Sequence, residues 1–231
     1  MTGLLTRFRL SRFAWTVLVT FYFLVFFRNF FLDAAPARAL MPTALAWLFV
    51  LWLALEYYVG SPFFQTGKVE SSALWRGVFA FYVYPLLGYL VADYGWWGWT
   101  QFPLPPAVAW FPGIVVFAAG TWLRLDTLAV MVRLAREPAG GEGLVPVRKL
   151  VQQRNWQWSR HPRYLATLVQ LVGAALAFNS WGGLALVLAI GLPLVLVQAR
   201  HEDRGLAVQL KADFESYAAR VPFLFPFRRR R

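Results

Sequence analysis

The chain contains no cysteine and little charge, and both shortages limit what it can be. The absence of cysteine excludes disulfides, thiolate nucleophiles and cysteine-ligated metals, although it does not identify the compartment. Charged residues make up only 15% of the 231 residues, whereas 59% are hydrophobic and 18% are aromatic. An ordinary water-soluble domain could not bury that much apolar surface, so the composition predicts a membrane protein.

Signals of several other protein classes are also missing. There is no internal repeat and no low-complexity linker beyond the glycine-rich stretch at residues 137–143, which is typical of a loop. No strand pattern precedes these glycines, so they do not fit a dinucleotide-binding fingerprint. The first apolar segment is longer than a signal-peptide core and has no small-residue cleavage site behind it, so we expect it to remain as a helix.

Apolar runs of membrane-spanning length recur along the chain. A hydrocarbon core of about 30 Å requires roughly 20 helical residues. Four runs approach this length, at residues 13–32, 43–60, 73–91 and 107–125. The pattern therefore predicts an all-α, multi-pass transmembrane bundle in which these runs form four full spans.

A fifth apolar stretch, residues 164–197, is broken in its middle by Asn179, Ser180 and two glycines, a combination typical of a turn. Its arms, 164–178 and 183–197, are each about 22 Å long as helices, which is shorter than a hydrocarbon core. We therefore expect a C-terminal helical hairpin that spans only partly or is tilted. On this basis the chain divides into N-terminal transmembrane helices at 1–128 and a C-terminal region at 129–231, with a loop, the hairpin and an amphipathic tail.

The basic residues are distributed unevenly around these predicted spans. Lys and Arg total 23 against 11 acidic residues, and only Arg28 and Arg38 fall on the side opposite to all the others. Because Lys and Arg that flank spans are retained in the cytoplasm, we expect both termini to be cytoplasmic. The net charge of +12, including the arginines at 228–231, then faces anionic lipid, and we expect no nucleic acid as partner.

Polar and charged residues gather at both feet of the predicted hairpin. Arg160 and His161 precede its first arm, and Glu202 and Asp203 follow its second. Charged groups at the mouth of a membrane helix pair are costly to desolvate and are functional candidates, and a hairpin brings its feet together. The alternative is structural: interfacial anchoring, or a buried ion pair between Glu202 and Arg160 that holds the tail against the hairpin.

A wider set of residues in about the last hundred positions forms a recognisable pattern. The set comprises Leu150, Val151, the run Arg160-His161-Pro162-Arg163-Tyr164, Asn179, Glu202, Asp203, Tyr217, Val221, Pro222 and Pro226, with Trp122-Leu123-Arg124 upstream. This pattern resembles the integral-membrane methyltransferases of the isoprenylcysteine carboxyl methyltransferase and phospholipid methyltransferase group. The chain departs from that group where Arg154 and Asn155 replace a glycine-proline pair and Gln157 replaces an arginine.

The resemblance implies S-adenosylmethionine as cofactor, in a cytoplasmic pocket formed by the hairpin and its flanking segments. We expect Glu202 to bind the cofactor's ammonium, Arg160 or His161 its carboxylate or adenine edge, and Tyr164 its ribose or ring. Asn179 is included among the cofactor-binding residues, although a role in fixing the turn is favoured.

The resemblance also implies methyl transfer to a lipid or lipid-like, possibly prenylated, acceptor that enters from the bilayer. Positioning is the main task of such an enzyme, because the sulfonium already activates the methyl group. A carboxylate acceptor needs no base, whereas an ammonium acceptor must lose a proton, to Asp203 or Glu202. The catalytic candidates are Asp203 and Arg124, the arginine at the matched end of the preceding helix.

Other classes of function remain open at this stage. A nicotinamide-dependent membrane sterol or steroid reductase has a related C-terminal pattern but typically carries an Asn-Tyr pair, where this chain has Arg163 and Tyr164. A non-enzymatic membrane scaffold is the third interpretation. A metal site built from His161, His201, Glu202 and Asp203 is set aside, because two histidines in an interfacial pocket more often bind organic ligands or water.

Overall fold

In the computed structural model the residues described are 43–45, 47–48, 51–52, 55, 73–136 and 151–226. All regular structure within them is helical, and the β pairing they contain is one isolated bridge between Gln101 and Ser180. This confirms the all-α fold class. The predicted first span, most of the second, the glycine-rich loop and the terminal arginines lie outside the described residues.

The described helices follow the apolar runs of the sequence. In chain order they are α1 (Ala73–Ala92), a π-helical turn (Asp93–Trp97), α2 (Pro106–Arg136), a 3₁₀ turn (Arg154–Gln157), α3 (Pro162–Ala177), α4 (Trp181–Leu186), a second π-helical turn (Val187–Gly191) and α5 (Leu192–Arg220).

Two helical segments of the described part are long and apolar enough to span a membrane, Trp110–Met131 and Trp181–Val208. The first lies in α2. The second runs through α4, the π-helical turn and α5, so the second hairpin arm is longer than expected. The arm continues past residue 197 because most of the residues that follow, such as Gln, Ala, Arg and Glu, are good helix formers, and no proline occurs before Pro222. At 28 residues this segment is about 42 Å long and is not the short arm predicted from apolarity alone.

The expected turn of the hairpin lies between α3 and α4. Asn179 adopts a left-handed backbone conformation with φ of 56°, which asparagine tolerates better than most residues. Ser180 caps α4 by accepting a hydrogen bond from the Gly183 backbone N–H at 3.0 Å. Gly183 is required for close packing, because a Cβ there would collide with the Leu90 side chain.

Helices α2 and α3 pack antiparallel through small residues. A Cβ added at Gly113 would collide with Ala177, one at Gly173 would lie 2.7 Å from the Phe117 Cα, and one at Gly120 would also meet α3. Such small residues let two backbones approach closely, as in membrane helix pairs. The boundary proposed at residue 128 falls inside α2, which packs along α3 over this interface.

The C-terminal part of α5 is bent toward the hairpin feet. Lys211 interrupts the helix with φ of 44° and ψ of −119°. Beyond this kink, Phe214, Tyr217 and Val221 form a small buried cluster of their own. The kink therefore places the tail of α5 beside the segment that precedes α3.

Candidate functional site

The open end of the hairpin joins the two polar pairs singled out in the sequence. The Asp203 carboxylate accepts from both residues before α3: its Oδ2 lies 2.7 Å from Arg160 Nη1, and its Oδ1 lies 2.8 Å from His161 Nε2. His161 Nδ1 lies 3.6 Å from Glu202 Oε2 on the other side of the ring. We call Arg160, His161, Glu202 and Asp203 the ion-pair cluster.

Arg160 is enclosed by aromatic rings and backbone. Its guanidinium carbon lies 5.2 Å from the Phe223 ring centroid and 5.9 Å from that of Phe214, distances at which a cation is attracted to the ring face. Its backbone N–H donates to the Pro222 carbonyl at 2.9 Å, which ties the end of the chain's described part to the hairpin. Its Nε is buried and has no hydrogen-bond partner.

His161 is buried, with 3% of its surface exposed, and precedes Pro162 at the first position of α3. Burial alone would lower the pKa of His161, but its hydrogen bonds to Asp203 and Glu202 and their negative charges outweigh this effect and raise the pKa above 6.5. The ring also packs against Phe223 at a centroid distance of 5.2 Å. Histidine therefore carries positive charge between the two acids more readily here than in water.

The two adjacent acids have different surroundings. The Asp203 side chain is 15% exposed and both its oxygens are occupied, whereas the Glu202 side chain is 43% exposed and its contact to His161 is longer, at 3.6 Å. Glu202 also interacts with the Tyr164 hydroxyl, which in turn interacts with Gln198 one helical turn earlier. Glu202 is thus the acid with capacity to bind a further cation, and Arg160 pairs with Asp203 rather than with Glu202.

The segment before α3 is held from two sides. Asp126 of α2 accepts hydrogen bonds from Arg154 and, at 2.6 Å, from the Asn155 side chain. On the other side, the Tyr217 hydroxyl donates to the Trp156 carbonyl at 2.9 Å. Burial raises the pKa of Tyr217 to about 12, so this hydroxyl remains a donor at neutral pH.

The structure leaves two of the predicted site residues away from these contacts. Arg124 donates to Thr167 at 2.7 Å and its guanidinium lies over the Trp52 ring, residues that are not part of the ion-pair cluster. Asn179 stands at the far end of α3, whose 16 residues place it roughly 24 Å from His161. It binds the backbone of Phe102 through its side-chain amide at 3.1 Å and through its carbonyl, which is a turn-fixing role and does not bring it to the cofactor-binding candidates.

Sequence reasoning missed a second polar cluster at the turn end of the hairpin. The fully buried Asp93 accepts from the Thr100 backbone N–H at 3.1 Å, from the Thr100 hydroxyl at 2.6 Å and from the Ser180 hydroxyl at 3.1 Å. Tyr89 extends this network with a 2.7 Å contact to the Thr100 hydroxyl. The signal in the sequence was a single acid inside a long apolar stretch. Burying such an acid is energetically unfavourable unless it is paired.

An apolar groove of about 160 Å³ lies along the hairpin. Leu165 and Val169 of α3, Leu188 and Leu192 of the second arm, and Phe225 contribute to its walls, and no polar surface lines it. Leu165 directly follows Tyr164 in the chain, and the other α3 residues of the groove lie further toward the turn. Its chemistry suits a hydrocarbon chain.

Comparisons with protein-family models, with curated proteins and with solved structures found no significant match. Within residues 73–136 and 151–226, no group of three or more His, Asp or Glu side chains has the geometry to hold a metal ion. The residues themselves therefore carry the functional argument.

Proposed function

We propose that this protein is an integral-membrane, S-adenosylmethionine-dependent methyltransferase that acts on a lipid or lipid-like acceptor. The observation that carries the proposal is the half-exposed Glu202 at the hairpin's open end, backed by the closed Arg160–Asp203–His161 network. A carboxylate in such a place binds a cation, and the neighbouring aromatic rings suit a sulfonium or an adenine.

The donors of the site fit the remaining groups of the cofactor. Arg160 Nε in the ion-pair cluster and Trp156 Nε1 in the 3₁₀ turn before it are buried without a hydrogen-bond partner. Burying such donors without an acceptor costs roughly 1–3 kcal/mol each, so a ligand that brings acceptor oxygens is favoured. The carboxylate of the cofactor is an acceptor of this kind, Glu202 would hold its ammonium, and Tyr164 would contact its ribose or ring.

The cofactor, when bound, supplies an electrophilic methyl group, and the protein's task is orientation and exclusion of water. Asp203 holds Arg160 and His161 in place, and both its carboxylate oxygens are occupied by these hydrogen bonds. Where the acceptor is an ammonium, Glu202 is the acid better placed to take the proton. Arg124 remains a catalytic candidate at the interface of α2 and α3, since Thr167 follows His161 by six residues, roughly 9 Å along the helix.

The acceptor is proposed to be lipid-like because the groove that Leu165 helps to line is entirely apolar. A hydrocarbon chain in this groove would present its head group to the polar residues. The two candidate spans favour a membrane location. We propose in addition that the chain forms the predicted four-span bundle with both termini in the cytoplasm. The basic residues near the ion-pair cluster support a cytoplasmic location for that end within this proposal.

The experiment is calorimetric titration of the detergent-purified chain with S-adenosylhomocysteine, with reduced nicotinamide adenine dinucleotide phosphate in parallel. Glu202→Gln is the test variant, and Glu215→Gln, an exposed acid in the same helix, is the charge-matched control. Loss of a charged hydrogen bond of about 1.5–3 kcal/mol predicts roughly 10- to 100-fold weaker binding in the first variant and unchanged binding in the second.

Each other outcome contradicts the proposal in a distinct way. Binding of the nicotinamide in place of S-adenosylhomocysteine would favour a membrane reductase. No binding of either ligand by a folded chain would favour a scaffold. Equal weakening in both variants would show that the effect comes from net charge and not from Glu202.

A further inference from the structure

Four tryptophans form an exposed patch at the turn end of the hairpin. Trp96, Trp97, Trp99 and Trp181 are 43%, 46%, 73% and 50% exposed. We call them the tryptophan patch. Large exposed aromatics gathered in one place usually mark an interaction surface.

The patch is held in position by the buried network around Asp93. Gly98 adopts a left-handed conformation with φ of 64°, which lets Trp97 and Trp99 stack at a centroid distance of 4.9 Å. The Trp181 backbone N–H donates to the Thr100 carbonyl at 2.8 Å, and this bond joins the start of α4 to the loop that carries the other three tryptophans. The four indoles therefore belong to one ordered surface and not to separate loops.

The patch lies where both candidate spans begin. Trp181 is the first residue of the segment Trp181–Val208, and the loop that carries the other three tryptophans leads into Trp110–Met131. From residue 93 to residue 109 the chain has one charged residue, Asp93, and that carboxylate is buried. An uncharged surface of amphipathic rings at the ends of apolar helices matches the lipid head-group region, where tryptophan is enriched.

We propose that the tryptophan patch binds the phospholipid head-group and glycerol region of the leaflet opposite the ion-pair cluster. This inference rests on the membrane location within the proposed function. The α3 helix of 16 residues separates the two ends by roughly 24 Å, close to the thickness of a hydrocarbon core. The hairpin would thus set its depth from one end while the polar residues stay at the other interface.

The natural lack of cysteine allows a direct test in the full chain. Single Trp99→Cys and Trp181→Cys variants are spin-labelled and reconstituted in phosphatidylcholine vesicles. Label depth is measured from the relative accessibility to oxygen and to a water-soluble nickel chelate. Leu188→Cys, 60% exposed and seven residues further along the helix, is the depth control, and Trp158→Cys, 62% exposed, marks the other end.

We expect the labels at Trp99 and Trp181 to lie in the interfacial region and the label at Leu188 to lie about 10 Å deeper than that at Trp181. The labels at Trp99 and Trp158 should react with an impermeant reductant from opposite sides of the vesicle. All positions are at least half exposed, so the labels do not enter the core.

Three results would overturn the inference. Full water accessibility at Trp99 and Trp181, or equal depth at Trp181 and Leu188, would exclude insertion. Spin–spin broadening at the patch that disappears on dilution with unlabelled chain would identify a second copy as its partner. These outcomes are independent of S-adenosylhomocysteine binding, so a failure of the methyltransferase proposal leaves this test intact.

Discussion

Replacing Asp203 by Asn should destabilise the protein much more than replacing its neighbour Glu202 by Gln. Both changes remove one negative charge and keep the side-chain shape. Asp203 accepts charged hydrogen bonds at 2.7 Å and 2.8 Å, whereas the ion-pair contact of Glu202 is 3.6 Å long. The two variants therefore share a change in net charge and differ in the contacts that they lose.

The magnitude follows from burial. Breaking a buried ion pair by removing one partner costs about 3–5 kcal/mol. The side chains of Asp203 and Arg160 are 15% and 16% exposed, and Arg160 keeps its contacts with two aromatic rings, so we expect a cost below this range, about 2–3 kcal/mol. The half-exposed Glu202 should lose less than about 1 kcal/mol.

Thermal unfolding in detergent, followed by circular dichroism, measures the difference. A shift of about 2–4 °C per kcal/mol for a chain of this size predicts a Tm lower by roughly 4–12 °C for Asp203→Asn and by less than about 4 °C for Glu202→Gln. The Glu202→Gln variant should instead lose ligand affinity: it should bind S-adenosylhomocysteine more weakly while its Tm stays nearly unchanged. Equal Tm values in the two variants would refute the assignment of Asp203 as the structural acid of the cluster.

Three further predictions follow from other contacts. The folded-state pKa of His161 is raised, so its contribution to stability is full below pH 6.5 and is lost as the pH rises through the raised pKa. The Tm should therefore fall over this pH range, and His161→Gln should abolish that fall. Asp93→Asn should cost about 1.5–3 kcal/mol by leaving buried hydroxyls without their acceptor, whereas the exposed Asp213→Asn should be neutral in the same unfolding assay. Gly173→Ala should cost about 1–3 kcal/mol by forcing α2 and α3 apart, whereas Gly88→Ala, with nothing within 4 Å of the added carbon, should not lower Tm.

The hairpin could be read from the sequence because its signals are local. Apolar runs on either side of Asn179, Ser180 and two glycines predict two helices and a turn, and a turn necessarily brings residues near 161 and 202 together. The length of the second arm could not be read in the same way. Apolarity fades after residue 197, but helix formation does not depend on it, and the helix continues to Arg220.

The pairing within the ion-pair cluster could not be predicted from sequence. Glu202 and Asp203 are adjacent, and successive residues of an α-helix point about 100° apart, so the rotation of α5 decides which acid meets Arg160. That rotation is set by the packing of the whole helix and not by the motif. The Asp93 network was equally hidden, because its acceptor and the Ser180 donor are 87 positions apart in the chain.

A comparison of the polar clusters at the two ends of α3 supports a ligand site at only one of them. Both contain a carboxylate that accepts two or more hydrogen bonds, and it is fully buried in Asp93 and partly buried in Asp203. The Asp93 carboxylate oxygens accept hydrogen bonds from Thr100 and Ser180, which belong to the same network. The nearby Asn179 Oδ1 lacks a partner, but the side-chain amide of that residue donates to the Phe102 carbonyl. Such a closed network stabilises the turn and offers nothing to a ligand.

Around Asp203 the balance of donors and acceptors is different. Arg160 Nε is a buried donor without an acceptor, and Glu202, which directly precedes Asp203 in the chain, has a side chain that is 43% exposed. An unsatisfied donor on Arg160 and a partly exposed acid at Glu202, within one cluster, would suit a ligand that carries both a carboxylate and an ammonium, as an amino acid moiety does. S-adenosylmethionine carries such a moiety, and its binding would satisfy the groups that folding alone leaves unpaired.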